Sequence, residues 1–197
     1  MKFIRKSDEN EMILSFLKGE LTSKRFKHKL LNIIENNQDI IKNGDINNQN
    51  ENIIRYQILR KYRGYPDKEL FNNFPKIISW EYVELDSSDI EKIYYIDYDY
   101  WNELSNNTSK PTEAAKTIKT GKEIYGISNE PFINGLKEIK KFPPVILITC
   151  NKEKYLIIEG HSRMTIYGLE PKKMEHTYAY IGYCSEEEMI KYDKRMI

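Results

Sequence analysis

The stretch that decides the fold lies near the C-terminal end: Val145-Ile146-Leu147-Ile148-Thr149-Cys150, then Tyr155-Leu156-Ile157-Ile158, then Glu159-Gly160-His161-Ser162-Arg163. Two short apolar runs separated by the polar residues 151–153 predict two buried strands joined by a turn. The second run leads directly into residues 159–163, and a short helix is predicted from there to Leu169, before Pro171. Residues 177–182 are again β-branched and aromatic, and they predict a third strand.

The turn between the second strand and the helix is the first candidate site. A helix that begins directly after a strand and a glycine has unpaired N–H groups in its first turn, and these groups and the helix dipole favour an anion. Gly160 has no Cβ to keep a phosphate from the backbone. His161 and Ser162 can donate hydrogen bonds, and Arg163 offers a planar fork to phosphate oxygens. The competing interpretation is a tight turn with a structural ion pair, in which Ser162 is only the helix N-cap and Glu159 pairs with a cation.

The loop before Pro111 is a second candidate site. Residues 105–110 carry three hydroxyl side chains, two amides and a lysine ahead of a predicted helix. Thr108 and Lys110 are the residues we expect to contact a phosphate there. A plain surface loop is the competing interpretation. No histidine has a partner at metal-ligand spacing, so the sequence predicts no protein metal site.

The first part of the chain is predicted to be helical. Asp8 and Glu11 have the spacing of a capping box ahead of an apolar run that ends at Gly19. Three further helices are predicted before Pro75, with a polar, asparagine-rich loop at residues 36–52 between two of them. Beyond Pro75 the predicted elements are a strand at residues 77–85, a capped aromatic-rich helix at residues 88–104, and helices that begin near Pro111 and Pro131. The predicted division is a helical N-terminal region, 1–75, and a mixed domain, 76–197.

The amino-acid composition limits the classes of function that the sequence can support. The chain has 197 residues, of which 40% are hydrophobic and 12% aromatic, enough for a real core. The 31 basic and 30 acidic residues give a net charge of +1, so no global basic charge indicates a nucleic-acid or membrane partner. No apolar run reaches the ~18 residues of a membrane span, and residues 1–12 lack the apolar stretch of a secretory signal, so we expect neither. Cys150 and Cys184 form no recognisable disulfide framework, so we expect a reducing cytoplasm.

One local cluster departs from this neutral balance. Residues 24–29 contain Lys24, Arg25, Lys27, His28 and Lys29. Contacts from this cluster to phosphates would make the protein a nucleic-acid-associated module. A solvated helix face is the competing interpretation. Because the rest of the chain is not basic, any binding to duplex DNA is expected to be weak.

Residues 76–185 resemble the ParB/sulfiredoxin superfamily, in which a hairpin leads into a Gly-x-x-Arg turn that binds nucleotide phosphates. The matching strings are Trp80-x-x-Val83-Glu84-Leu85, Ile96-Asp97, Tyr100-Trp101-x-Glu103-Leu104-Ser105, Phe142-Pro143-Pro144 and Glu159-Gly160-His161-x-Arg163. They are similar to those of uncharacterised bacterial ParB-like proteins, and the free-serine kinases carry a similar acidic-Gly-His-His-Arg string. Sulfiredoxins place a cysteine where His161 stands, so sulfinate reduction is not expected. Partitioning ParB proteins continue into a DNA-binding helix-turn-helix, and this sequence ends at Ile197, so a DNA clamp is not expected.

The sequence therefore predicts an α+β protein, a ParB/sulfiredoxin-like domain with a small mixed sheet preceded by a helical region. The expected function is binding of a nucleotide or phosphorylated metabolite by residues 159–163, with Thr108 and Lys110. If the protein also catalyses a reaction, the expected class is phosphoryl transfer or nucleotide hydrolysis with Mg²⁺. Whether the protein is an enzyme stays open. The alternatives are the nucleic-acid-associated module and a protein-interaction module with a vestigial phosphate site.

Overall fold

The computed structural model describes residues 1–23, 26–34, 37–139 and 142–197. The strands are β1 (Lys2–Ser7), β2 (Ser79–Leu85), β3 (Ile93–Tyr94), β4 (Val145–Thr149), β5 (Tyr155–Glu159) and β6 (Thr177–Tyr183). The α-helices are α1 (Glu9–Thr22), α2 (Lys27–Ile34), α3 (Asp39–Lys42), α4 (Gln49–Arg63), α5 (Asp99–Leu104), α6 (Pro111–Lys119), α7 (Glu130–Gly135), α8 (His161–Leu169) and α9 (Glu186–Asp193). Among the described residues, none of these helices is both long and apolar enough to cross a membrane.

All six strands form one mixed sheet in the order β1-β2-β6-β4-β5-β3. Strands β1 and β2, β2 and β6, and β4 and β5 pair antiparallel, whereas β4 pairs parallel with β6 and β3 pairs parallel with β5. The predicted α+β class with a mixed sheet is confirmed. The hairpin β4–β5 lies within the sheet, as its unbroken apolar sequence predicts.

Helices cover both faces of the sheet and form two cores. Val145 and Leu147 of β4 pack on one face with residues of α5, α6, α7 and α8. Ile146 and Ile148 pack on the other face with residues of α1, α2, α4 and α9. This alternation is the period of two that a strand imposes on its side chains. The region before Pro75 therefore supplies most of one layer.

The N-terminal strand β1 was not predicted. It pairs with β2 at the edge of the sheet, and most of its side chains are exposed. Phe3, for example, is 54% exposed. An edge strand held by backbone hydrogen bonds needs no alternation of apolar residues, so its sequence carries no such signal.

Helix boundaries were predicted best where a cap fixes them. The Asp8 side chain accepts a hydrogen bond from the Glu11 N–H at 3.0 Å, as its spacing predicts. Gly64, with φ of 78°, ends α4 as predicted. The predicted end at Gly19 is wrong, because α1 continues to Thr22.

Three predicted segments differ more strongly from the structure. The stretch 88–104 is not one helix. It forms a 3₁₀ turn (Asp89–Lys92), the short strand β3 and only then α5. Pairing of β3 with β5 overrides the local capping signal there. The predicted loop 36–52 contains α3 and the first turn of α4, and the helix predicted just before Pro75 is a single 3₁₀ turn (Glu69–Phe71).

Candidate functional site

The turn between β5 and α8 has the geometry that the sequence predicts. Gly160 is the N-cap of α8, with φ of 107° and no side chain to cap the helix. A Cβ at this position would lie 2.6 Å from Val145 Cγ1 and 3.3 Å from Arg163 Cζ. Crowding by the neighbouring strand and the positive φ therefore already require glycine. Close approach of a phosphate is not needed to explain it.

Arg163 holds neighbouring segments together. Its Nη1 donates to the carbonyl oxygens of Pro143 at 2.6 Å and Pro144 at 2.7 Å, and its Nη2 forms an ion pair with Glu159. Only 11% of the side chain is exposed. Burial lowers the pKa of Arg163 to about 10, so the guanidinium remains charged at neutral pH. Arg163 thus ties the segment ahead of β4 to the first turn of α8.

Helix α1 passes over this ion pair. A Cβ built on Gly19 would lie 3.5 Å from both Arg163 Nη2 and Glu159 Oε1. That distance is ordinary van der Waals contact, so the backbone of α1 packs closely on the two charged groups. The N-terminal helical layer and the turn after β5 therefore meet at this point.

A second buried ion pair lies next to the first. Glu20, 4% exposed, accepts a hydrogen bond from the Tyr62 hydroxyl at 2.5 Å and pairs with Arg63 Nη2 at 2.9 Å. The Arg63 guanidinium also lies over the rings of Phe26 and Tyr62, at 4.5 and 4.6 Å. Each of the two arginines at the site is therefore matched by a carboxylate, as buried charges require.

His161 belongs to an aromatic stack. Its ring lies 5.4 Å from Trp101 with an interplanar angle of 17°, and Trp101 stacks on Tyr95 at 4.7 Å. The Tyr95 hydroxyl in turn shares a hydrogen bond with Thr165, one turn along α8, at 2.6 Å. The stack therefore fixes the orientation of the imidazole against the start of the helix.

The imidazole of His161 is neutral at physiological pH. Burial lowers its pKa to about 3, and the positive charge of Arg63 acts in the same direction. Its Nε2 is buried and makes no hydrogen bond to any described residue. A ring with so low a pKa is a weak proton acceptor at pH 7, which argues against a role as a general base.

Ser162 is the exposed member of the turn. It is the second residue of α8, whereas the N-cap is Gly160, so the interpretation of Ser162 as N-cap is wrong. Ser162 is exposed, whereas Gly160 is buried and His161 and Arg163 are half-buried. Ser162 is therefore the side chain of the turn that a ligand can reach most directly.

The second candidate loop is held by contacts of its own and borders Tyr95. The Thr108 hydroxyl donates to the Ser105 carbonyl at 2.7 Å, and Lys110 Nζ lies 3.6 Å from Glu91. The helix after this loop begins at Pro111, whose carbonyl packs against Gly168. Gly168 is about 10 Å along α8 from its first residue, given 1.5 Å per residue. The helix that follows the loop thus starts beside the far end of α8, while Thr108 and Lys110 flank Ser109, whose carbonyl accepts a hydrogen bond from the Tyr95 N–H at 2.7 Å. The loop therefore adjoins the aromatic stack beside His161.

The basic cluster is only partly within the structure. Lys24 and Arg25 lie outside the described residues. Lys27 and His28 are exposed on α2, and Lys29 Nζ lies 5.8 Å from the centre of the Tyr62 ring. Within the described ranges, no group of three or more histidine, cysteine, aspartate and glutamate residues is placed to hold a metal ion.

Four residues of the site could not be placed at this turn from the sequence: Glu20, Arg63, Tyr95 and Trp101. They come from α1, α4, the residue after β3, and α5, and no local motif joins them to the turn. Arg63 stands out only as one of seven arginines in the chain. Trp101 lies in a string that the family resemblance contains, but its place beside His161 follows from tertiary packing.

Comparison with known proteins adds no assignment. No protein-family model, curated protein or solved structure matches this chain. The fold class and the geometry of the turn are therefore the observations on which a functional proposal rests. They comprise a helix start without a side-chain cap, two buried ion pairs and a neutral histidine in an aromatic stack.

Proposed function

We propose that the protein binds a nucleotide or phosphorylated metabolite at the first turn of α8. The observation that carries the proposal is the start of this helix directly after Gly160, without a side-chain cap. Such a helix start offers N–H groups and the positive end of the dipole to a phosphate. The resemblance to the nucleotide-binding turn of the ParB/sulfiredoxin superfamily supports the same position.

The proposal assigns direct and supporting roles within the turn. The backbone N–H groups of His161 and Ser162, and the Ser162 hydroxyl, contact the phosphate. Arg163 is a positioning residue, because its guanidinium is already shared between two carbonyls and Glu159. The buried Nε2 of His161, which makes no hydrogen bond to any described residue, supports a second polar contact once the ligand is bound.

The residues at the turn do not themselves fit a magnesium site. The nearby carboxylates of Glu20 and Glu159 are both paired with arginines. Magnesium prefers carboxylate and phosphate oxygens and keeps several waters. In this proposal Mg²⁺ arrives on the phosphates of a nucleotide, and no step of catalysis is assigned to it.

Substitution of Ser162 tests the proposal. A carboxylate at the second position of a helix complements the dipole and adds about 0.3–1 kcal/mol of stability, but it repels a phosphate. Ser162→Asp should therefore stay folded and lose binding, whereas Ser162→Asn, of similar size and uncharged, should keep most of it. Calorimetric titration of ATP, ADP, CTP and GTP with Mg²⁺ measures both. The proposal fails if the wild type binds none of these, or if Ser162→Asp binds as tightly as Ser162→Asn.

A further inference from the structure

The two cysteines of the chain occupy matching positions at the ends of neighbouring strands. Thr149 and Tyr183 are the last paired residues of the parallel strands β4 and β6, and Cys150 and Cys184 follow them directly. The ladder continues one step further, because the Cys184 N–H donates to the Thr149 carbonyl at 3.0 Å. Both thiols are free.

The two side chains also lie on the same face of the sheet. Cys184 is 5% exposed and belongs to the core formed with Ile146 and Ile148, and Cys150 packs against that core. Cys184 Sγ already lies 3.6 Å from the Thr149 carbonyl oxygen, adjacent to Cys150. Matched positions on neighbouring strands are about 4.8 Å apart, within the ~4.4–6.8 Å between Cα atoms that a disulfide requires.

We propose that Cys150 and Cys184 are a redox-active pair that a small disulfide, such as oxidised glutathione, converts into an intramolecular disulfide. Cys150 is the half-buried and more accessible thiol, so it reacts first. Its Sγ now faces the Met196 carbonyl at 3.9 Å, and rotation about its χ1 turns it towards Cys184.

The exchange balances in two steps. The Cys150 thiolate attacks one sulfur of oxidised glutathione, forming a mixed disulfide and releasing one glutathione thiolate. The Cys184 thiolate then attacks the Cys150 sulfur, which forms the Cys150–Cys184 bond and releases the second glutathione. The two thiol protons pass to the released thiolates, so the protein loses two electrons and oxidised glutathione gains them. Burial raises the pKa of both thiols, which lowers the thiolate fraction at neutral pH and slows the exchange.

The bond would close a loop around the candidate site. The segment between the two cysteines contains β5, the Gly160 turn and all of α8. Crosslinking its ends restricts the unfolded chain, so the melting temperature should rise by about 5–10 °C. This inference does not depend on the proposed binding function, because the crosslink can be measured without any phosphorylated ligand.

The test is to incubate the protein in glutathione buffers that contain an increasing share of oxidised glutathione. Intact-mass analysis then shows whether Cys150 and Cys184 have formed a disulfide. The wild type should become lighter by two hydrogen atoms, lose both alkylatable thiols and melt at a higher temperature. Cys184→Ser should instead become heavier by one glutathione on Cys150, because the second step is blocked. Cys150→Ser should remain unmodified, because Cys184 is buried.

Three results would overturn the inference. The first is a wild type that stops at the glutathione adduct. The second is a wild type that forms disulfide-linked dimers, or keeps both thiols under the most oxidising buffer. The third is an intramolecular bond that leaves the melting temperature unchanged or lower, which would show that the loop is not constrained as proposed.

Discussion

Gly160 is constrained twice, by its backbone and by its neighbour. Its φ of 107° lies in the region that strains any residue with a Cβ. Val145, which would meet that Cβ at 2.6 Å, is fully buried in β4 and has little room to move. A side chain at residue 160 should therefore lower the free energy of unfolding for two reasons, backbone strain and overpacking. A control substitution separates these two contributions.

Gly160→Ala should lower the free energy of unfolding by about 2–5 kcal/mol, the sum of ~1–2 for the backbone and ~1–3 for overpacking. Gly121→Ala is the matched control, because Gly121 also has a positive φ, of 80°, but a Cβ there meets nothing within 4 Å. It should cost only the backbone part, about 1–2 kcal/mol. Urea denaturation measures both. Equal costs for the two substitutions would show that Val145 does not crowd the turn.

His161 should make stability depend on pH in a defined direction. Its pKa is about 3 in the folded protein, against an ordinary value of about 6.5 when unfolded. Above pH 6.5 neither the folded nor the unfolded state binds the proton, so His161 does not make the free energy of unfolding depend on pH. As the pH falls below 6.5, only the unfolded state binds it, so stability falls by up to ~1.4 kcal/mol per pH unit until the folded pKa is reached.

The measurement is the free energy of unfolding of the wild type minus that of His161→Phe, from pH 7.5 down to pH 4.5. Phenylalanine keeps a ring against Trp101 but has no proton to bind. Other titrating groups act on both proteins and cancel in the difference. A difference that stays constant with pH would mean that the imidazole takes up its proton in the folded state as readily as in the unfolded one.

For the turn between β5 and α8, the sequence predicts where the turn residues lie but not which distant residues contact them. Gly160 and Arg163 lie where the strand–glycine–helix pattern predicts. The groups that surround them, Val145, Pro143 and Gly19, are between 15 and 144 positions earlier in the chain than the residue each contacts. A short motif carries no information on such distant contacts, so the hydrogen bonds of Arg163 to the carbonyls of Pro143 and Pro144 could not be predicted from it.

At the scale of elements, two helices of the N-terminal layer are joined by a charged contact. Glu20 on α1 and Arg63 at the end of α4 are mostly buried, with 5% and 20% of their side chains exposed. Removing one member of such a pair leaves the other charge without compensation in a poorly solvated place. The energetic effect should therefore far exceed that of an ion pair on the surface.

Glu20→Gln should lower the free energy of unfolding by about 2–4 kcal/mol, since Arg63 loses its counter-charge. Arg63→Met, added to it, should recover part of that loss, because no unpaired charge then remains. Glu113→Gln is the control: its pair with Lys116 is mostly exposed, and the loss should be under about 0.5 kcal/mol. Thermal and urea unfolding measure all four proteins. If Glu20→Gln were as mild as Glu113→Gln, the buried pair would be incidental to the packing of α1 on α4.

Elements were predictable where burial or capping leaves a mark in the sequence. The buried strands β4 and β5 are continuous apolar runs, and α6 begins at Pro111 as expected. The strands β1 and β3 leave no such mark, because β1 is exposed at the edge and β3 has only two residues. Both exist because a neighbouring strand offers backbone hydrogen bonds, which is a property of the assembled sheet.

At the scale of the whole molecule, a single sheet separates two cores built from different parts of the chain. Strand β1 extends the sheet beside β2, and the helices before Pro75 cover the face that carries Ile146 and Ile148. Without that layer, the central strands would expose a large apolar surface. We therefore expect the two sides of the sheet to unfold together.

The two tryptophans allow this expectation to be measured, because they lie on opposite sides of the sheet. Trp80 packs in the core beneath the N-terminal helices, and Trp101 packs on the other side, beside α8. Trp101→Phe leaves only the first reporter and Trp80→Phe leaves only the second. In each variant, fluorescence and far-ultraviolet circular dichroism should give the same urea midpoint, since a two-state protein shows coincident transitions by every probe. If the Trp80 fluorescence changed at a urea concentration clearly different from the dichroism midpoint of the same variant, the helical layer would unfold as a separate unit.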